Sequence, residues 1–95
     1  MNGRYDPILA RAIALQKRAN SPMGKVLARV PGKSIEARAR RIGVSRQTYY
    51  NLQSGRNLPR ADLVKRLVKL TGYTPEHIRL SAAAARAALV APGAR

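Results

Sequence analysis

Apolar residues recur along this chain at the spacing of helices, and they are broken by helix starts and stops. Ile8, Leu9, Ala12 and Ile13, with Leu15 or Gln16, follow Asp6-Pro7 at roughly helical intervals. Asp can cap a helix and Pro is preorganised at its first position, so this pattern predicts a helix from Pro7 to about Arg18 or Ala19. Ser21-Pro22 repeats the signal, and Met23, Val26, Leu27 and Val30 form a shorter stripe that Pro31-Gly32 ends. Ile35, Ala39 and Ile42 share the next face, and Gly43 follows where a helix favours a left-handed residue. Ser45 then suits an N-cap, accepting from the N–H of Gln47 or Thr48, and Tyr49 and Leu52 resume the stripe until Gly55.

Beyond the polar loop Arg56-Asn57-Leu58-Pro59, a helix is predicted from Arg60 to Thr71. Leu63, Leu67 and Leu70 are placed inside, Val64 and Val68 at the borders, and Lys65, Arg66 and Lys69 outside. Thr74-Pro75-Glu76 opens the last helix: a cap, a preorganised turn and an acid at the positive end of the dipole. Ile78 and Leu80 are expected to pack inward. The run Ala82–Ala88 is very helix-prone, and Leu89 and Val90 complete the apolar side before Pro92-Gly93. The predicted fold is all-α, a bundle of five or six helices in one domain spanning 1–95. Within it, 1–20 is an extra N-terminal helix behind a loose basic arm (Met1–Tyr5), 22–80 the core, and 81–95 the end of the last helix and a tail.

The stretch Ser34–Gly55 carries the chemistry. Two short helices meet at Gly43-Val44-Ser45, with Val44 plugging the angle between them. The second helix presents Arg46, Gln47, Tyr50 and Asn51 outward, a cassette of hydrogen-bonding side chains suited to the edges of paired bases in a major groove. Tyr49 and Tyr50 point about 100° apart on a helix, so one belongs to the core and the other to the groove side. The segment Arg41-Ile42-Gly43-Val44-Ser45-Arg46-Gln47-Thr48, followed by Leu52 and Gly55, resembles the helix-turn-helix of the lambda-repressor/Cro-like (XRE-type) family. The likeness runs on from Arg60 to Leu80 and covers about half to two-thirds of the chain.

That resemblance implies a small lambda-repressor-like domain that binds DNA, usually as a dimer on a palindromic operator. It implies base contacts from Arg46, Gln47 and Asn51, with Tyr50 beside them. It also implies phosphate contacts from Ser34, Thr48 and Arg56, and a backbone or minor-groove contact from Arg60. Two positions depart from the family pattern: Ile35 stands where a Gln is common, and Arg38 where a Leu is usual. The second departure implies a slightly rotated helix in which Ile35 takes the core place.

Charge changes the picture next. Nineteen Lys and Arg against four Asp and Glu give a net charge of +15. Self-repulsion of that size points to a polyanionic partner, with duplex nucleic acid first and an acidic membrane surface second. Lys33, Arg38, Arg40, Arg41, Arg56 and Arg60 are assigned to phosphates, which supply affinity, while the base readers supply sequence choice. No apolar run approaches the length of a membrane span, and no signal-peptide pattern opens the chain. The lack of Cys excludes disulfides and thiolate metal sites and suits a reducing cytoplasm. Without Phe or Trp, single-strand binding on aromatic platforms is disfavoured. The lone His77 and the scattered acids Asp6, Glu36, Asp62 and Glu76 offer no catalytic pair, metal set or cofactor loop, so no enzyme is expected.

The expected function is therefore a cytoplasmic DNA-binding regulator acting at a promoter. Two alternatives stand beside it: a nucleoid-coating protein, and an antitoxin or recombination accessory factor working with a protein partner. A homodimer is expected through either the N-terminal helix or the alanine-rich one, where Leu80, Ala84, Ala87 or Ala88 and Leu89 would form the seam. The alternative for both helices is simply to cover the core.

Overall fold

The computed structural model describes residues 7–10, 13 and 20–90, and every regular element among them is a helix. Residues 7–10 and Ile13 are helical, as the Asp6-Pro7 signal predicts. The basic arm, Asp6 itself, residues 11, 12 and 14–19, the side chain of Val90 and the tail after it lie outside the described residues. Five helices follow: α1 (Pro22–Ala28), α2 (Ile35–Ile42), α3 (Arg46–Ser54), α4 (Ala61–Thr71) and α5 (Pro75–Val90).

The starts are set by side-chain caps. Ser21, Ser34 and Ser45 each take extended backbone geometry and accept from the amide three residues on, those of Gly24, Ala37 and Thr48. The Thr74 hydroxyl likewise accepts from the His77 amide at 3.1 Å. Each satisfies a donor that the helix itself leaves unpaired. Ser21 has a second task, because its hydroxyl donates to the Gln53 carbonyl at 2.6 Å and so ties the start of α1 to α3. Arg60 precedes α4 without a side-chain cap.

One core joins all five helices. Met23, Leu27, Ile42, Leu67 and Ile78 are fully enclosed, and Tyr49 and Leu52 nearly so. Burying an aliphatic side chain of this size stabilises by about 1.5–3 kcal/mol relative to exposure. Val44 packs against this core from its edge, the expected plug at the hinge, while Ile35, expected to take a core place, is only half-buried beside it. Tyr73 stacks on His77 at 4.3 Å under the Arg29 guanidinium, which joins the end of α1 to the α4–α5 corner.

Two faces differ from the expected ones. The buried line of α4 is Val64, Leu67 and Thr71, with Leu63 and Leu70 only half-buried. The face is rotated because Thr71 can be buried: its hydroxyl donates to the Leu67 carbonyl at 2.7 Å, which removes the cost of an unpaired polar group. On α5 the buried line is Ile78, Ser81, Ala82 and Ala85, at helical spacing. Leu80, expected inside, is 62% exposed, since two residues from Ile78 a helix has turned about 200°. Leu89 is also exposed.

Tyr49 yields a pH prediction. Burial pushes its phenol pKa up, and Arg38, hydrogen-bonded to it, pulls the other way without cancelling the rise. The folded form therefore holds this proton more tightly than the unfolded chain, so the associated stability is present below about pH 10 and is lost as pH rises through the folded value. Denaturant melts across alkaline pH should lose less stability in Tyr49→Phe than in the wild type. Identical pH profiles would count against this assignment.

Candidate nucleic-acid interface

The hinge between α2 and α3 is built by backbone chemistry. Gly43 sits at φ 78°, ψ 29°; its N–H reaches the Arg40 carbonyl at 3.1 Å, and the next amide, Val44, reaches the Ala39 carbonyl at 2.9 Å. This pair of bonds is a Schellman motif, and it turns the chain within two residues into the Ser45 cap. The last carbonyl of α2, that of Ile42, accepts 2.8 Å from Arg66 Nη1, a side chain from α4. Arg66 had been expected on an outward face. Its backbone position agrees, but its guanidinium folds back over the hinge.

On α3, Tyr49 and Leu52 face the core while Arg46 and Gln47 are exposed and Tyr50 and Asn51 half-exposed. The four predicted readers fall into two pairs one helical turn apart. Gln47 Nε2 donates to Asn51 Oδ1 at 3.1 Å. Arg46 lies beside Tyr50, and its pKa is pushed up first by a hydrogen bond with Tyr50 and then by the Glu36 carboxylate, 3.6 Å away on α2. Tyr50 also meets Tyr49 edge-on at 6.4 Å. The cassette is thus prearranged. Both Arg46 and Glu36 are largely solvent-exposed, so that ion pair orients the guanidinium while leaving it available.

The predicted phosphate contacts separate into groups. Lys33 and Ser34 are exposed at the start of α2, the end at which Glu36 meets Arg46. Arg40 is exposed one turn beyond Glu36 on the same face, and Arg41 is exposed beside it. Thr48, Arg56 and Arg60 come together along one groove between the hinge, the loop after α3, and α4. Ser34 and Thr48 also serve the caps: the Ser34 hydroxyl accepts from Ala37, and the Thr48 hydroxyl accepts from Ser45 at 3.0 Å. Arg38 is the exception. It is half-buried, its Nε donates to the Val30 carbonyl at 3.2 Å, and its guanidinium lies beside Tyr49. A cation placed where the family pattern has an apolar residue is drawn inward by a carbonyl and a phenol, away from the outward-facing set.

Three contributors were not identified in the sequence. Glu36 bridges the two helices, Arg66 closes α2, and Arg86 of α5 donates through Nε to the Gly55 carbonyl and through Nη2 to the Arg56 carbonyl at 2.8 Å. Glu36 had a local signal, an acid two residues after a Ser cap. The two arginines act across 24 and 31 residues, and no local pattern marks such a contact.

A model of the helix-turn-helix domain family matches residues 9–81 of the chain. The chain belongs to this family, a group of XRE-like helix-turn-helix domains. No curated protein and no solved structure matches it. The helix-turn-helix match and the exposed α3 cassette together mark a DNA-binding domain. Among the described residues no helix is long and apolar enough to cross a membrane.

Proposed function

We propose that this helix-turn-helix protein is a sequence-specific transcriptional regulator that lays α3 into the major groove of a promoter site. The observation that carries the reading is the outward cassette on α3, two hydrogen-bonded reader pairs on a helix fixed at both ends. Planar amides and guanidinium groups of this kind make bidentate contacts to adenine and guanine edges. Exposed cations on either side of the cassette provide the sequence-independent hold on phosphates.

The reading includes two-fold assembly in the cytoplasm. One short helix reads only a few base pairs, and a symmetric pair spaced by about 34–36 Å doubles that information. Among the described residues, the outer face of α5, with Leu80, Ala84 and Ala87 exposed, and the exposed N-terminal Ile8, Leu9 and Ile13 offer apolar surface for a second copy. We read the protein as a binder and not an enzyme. Its described acids, Glu36, Asp62 and Glu76, each stand second in a different helix, where they serve the helix dipole.

The net charge of +15 also favours a second reading, a protein that coats duplex DNA with little sequence preference. Selection from a random duplex pool, followed by competition of the selected site against random duplex, separates the two. A regulator shows a strong preference; a ratio near one identifies a coating protein. Gln47→Ala should change preference at one or two base pairs, each contact being worth about 1–3 kcal/mol of discrimination. Arg40→Ala should weaken binding to all duplexes alike. Equal, sequence-independent losses from both variants would end the division into readers and anchors.

A further inference from the structure

We propose that Arg86 is the positioning residue for the phosphate-contacting turn Gly55–Asn57, so that the last helix governs how Arg56 meets DNA. The proposal rests on the duplex-binding reading above and goes beyond it, because Arg86 lies 30 residues from the turn and outside the matched segment.

Arg86 is half-buried and directs Nε and Nη2 at two successive carbonyls, those of Gly55 and Arg56. The same turn is held from the other side by the Asn57 amide, which donates to the Asn51 carbonyl at 3.1 Å. A rigid planar fork can span two acceptors, whereas an ammonium is a single point charge on a flexible stem. The helix behind the turn is also unusually close: a methyl placed on Gly55 would come within 2.5 Å of the Ala85 backbone carbon. The peptide that carries the exposed Arg56 side chain is therefore clamped between α3 and α5. Arg86 also places a cation at the C-terminal end of α3, where the helix dipole favours one.

Were Arg86 mainly one more phosphate contact, Nε and Nη2 would face outward. Instead these two face the backbone that aims Arg56. The consequence is non-additivity: without the clamp, Arg56 should lose its phosphate and its own removal should then cost nothing more.

The test uses the full chain and a random-sequence duplex, with affinity measured over a range of salt concentrations. Four proteins are compared: wild type, Arg56→Ala, Arg86→Lys and the double variant. Helical content is followed in each by circular dichroism. Arg56→Ala should reduce the log–log salt slope by about 0.9, the value for one phosphate contact. Arg86→Lys keeps the charge and should produce the same reduction, and the double variant should match either single one. A wild-type slope in Arg86→Lys, or independent losses that add in the double variant, would overturn the proposal while leaving duplex binding intact. A wild type that binds no duplex removes both readings. Should Arg86→Lys lose its helical signal, Arg86→Met, which keeps an apolar stem but donates to neither carbonyl, takes its place; adding Arg56→Ala to it should then lower the slope no further, and a further drop of about 0.9 would overturn the proposal.

Discussion

Gly55→Ala is expected to cost this domain about 2–5 kcal/mol, a large share of the roughly 5–15 kcal/mol that holds a folded domain together. Two effects add. The backbone at Gly55 has φ 85°, a left-handed geometry that costs a residue with a Cβ about 1–2 kcal/mol. The new methyl would also lie 2.5–2.6 Å from the Ala85 carbonyl and the Arg86 nitrogen, which are backbone atoms and cannot rotate away. Overpacking of this kind costs about 1–3 kcal/mol. Gly72 is the natural control, with φ 82° and nothing within 4 Å of its added methyl. Thermal melts should place Gly55→Ala about 10–30 °C below the wild type, with Gly72→Ala paying the backbone part alone. Equal losses in the two variants would mean that α5 does not approach α3 this closely.

That contrast also separates what could be read from the sequence from what could not. The two glycines look alike in sequence, since each ends a helix and each is followed by a polar turn. The cap residues, the Gly43-Val44-Ser45 hinge, the choice of Tyr49 as the core tyrosine and the outward set on α3 were legible, because each is decided within four residues along the chain. Helical periodicity alone separates Tyr49 from Tyr50. The close approach at Gly55 depends instead on a helix that begins 20 residues later, and nothing at Gly55 reports it.

The same reasoning explains the misplaced side chains. Leu80 was assigned inward by its hydrophobicity, yet on a helix anchored by Ile78 its position points away, and the small Ala82 and Ala85 take the core face. Thr71 was overlooked because its polarity hides how easily a threonine pairs with the carbonyl one turn back. Arg66 was placed on an outer face, and Arg86 was given no place. A guanidinium on a long stem reaches whichever carbonyl the fold brings near, and that partner is set by tertiary structure. Arg38 is intermediate: the departure from a leucine was visible and pointed to a rotated helix, but the Val30 carbonyl that receives its Nε was not.

Removing Arg38 from the outward set makes the electrostatic prediction sharper. Lys33, Arg40, Arg41, Arg56 and Arg60 remain as exposed cations flanking the reading helix. If each neutralises one phosphate, one subunit should show a log–log salt slope of about 4.5 and a two-fold dimer about 9. Between 50 and 200 mM salt this corresponds to about a 500-fold loss of affinity for one subunit and about 10⁵-fold for two, a gap far wider than the error of a titration. The slope on a selected site should therefore take the larger value, and a duplex cut to a single half-site the smaller one. Arg38→Ala should leave both slopes unchanged, its effect falling on stability through the Val30 carbonyl and Tyr49. A slope near 4.5 on the full site would mean that the protein reads DNA as a single subunit. A slope that falls by about one unit in Arg38→Ala would return this residue to the phosphate contacts.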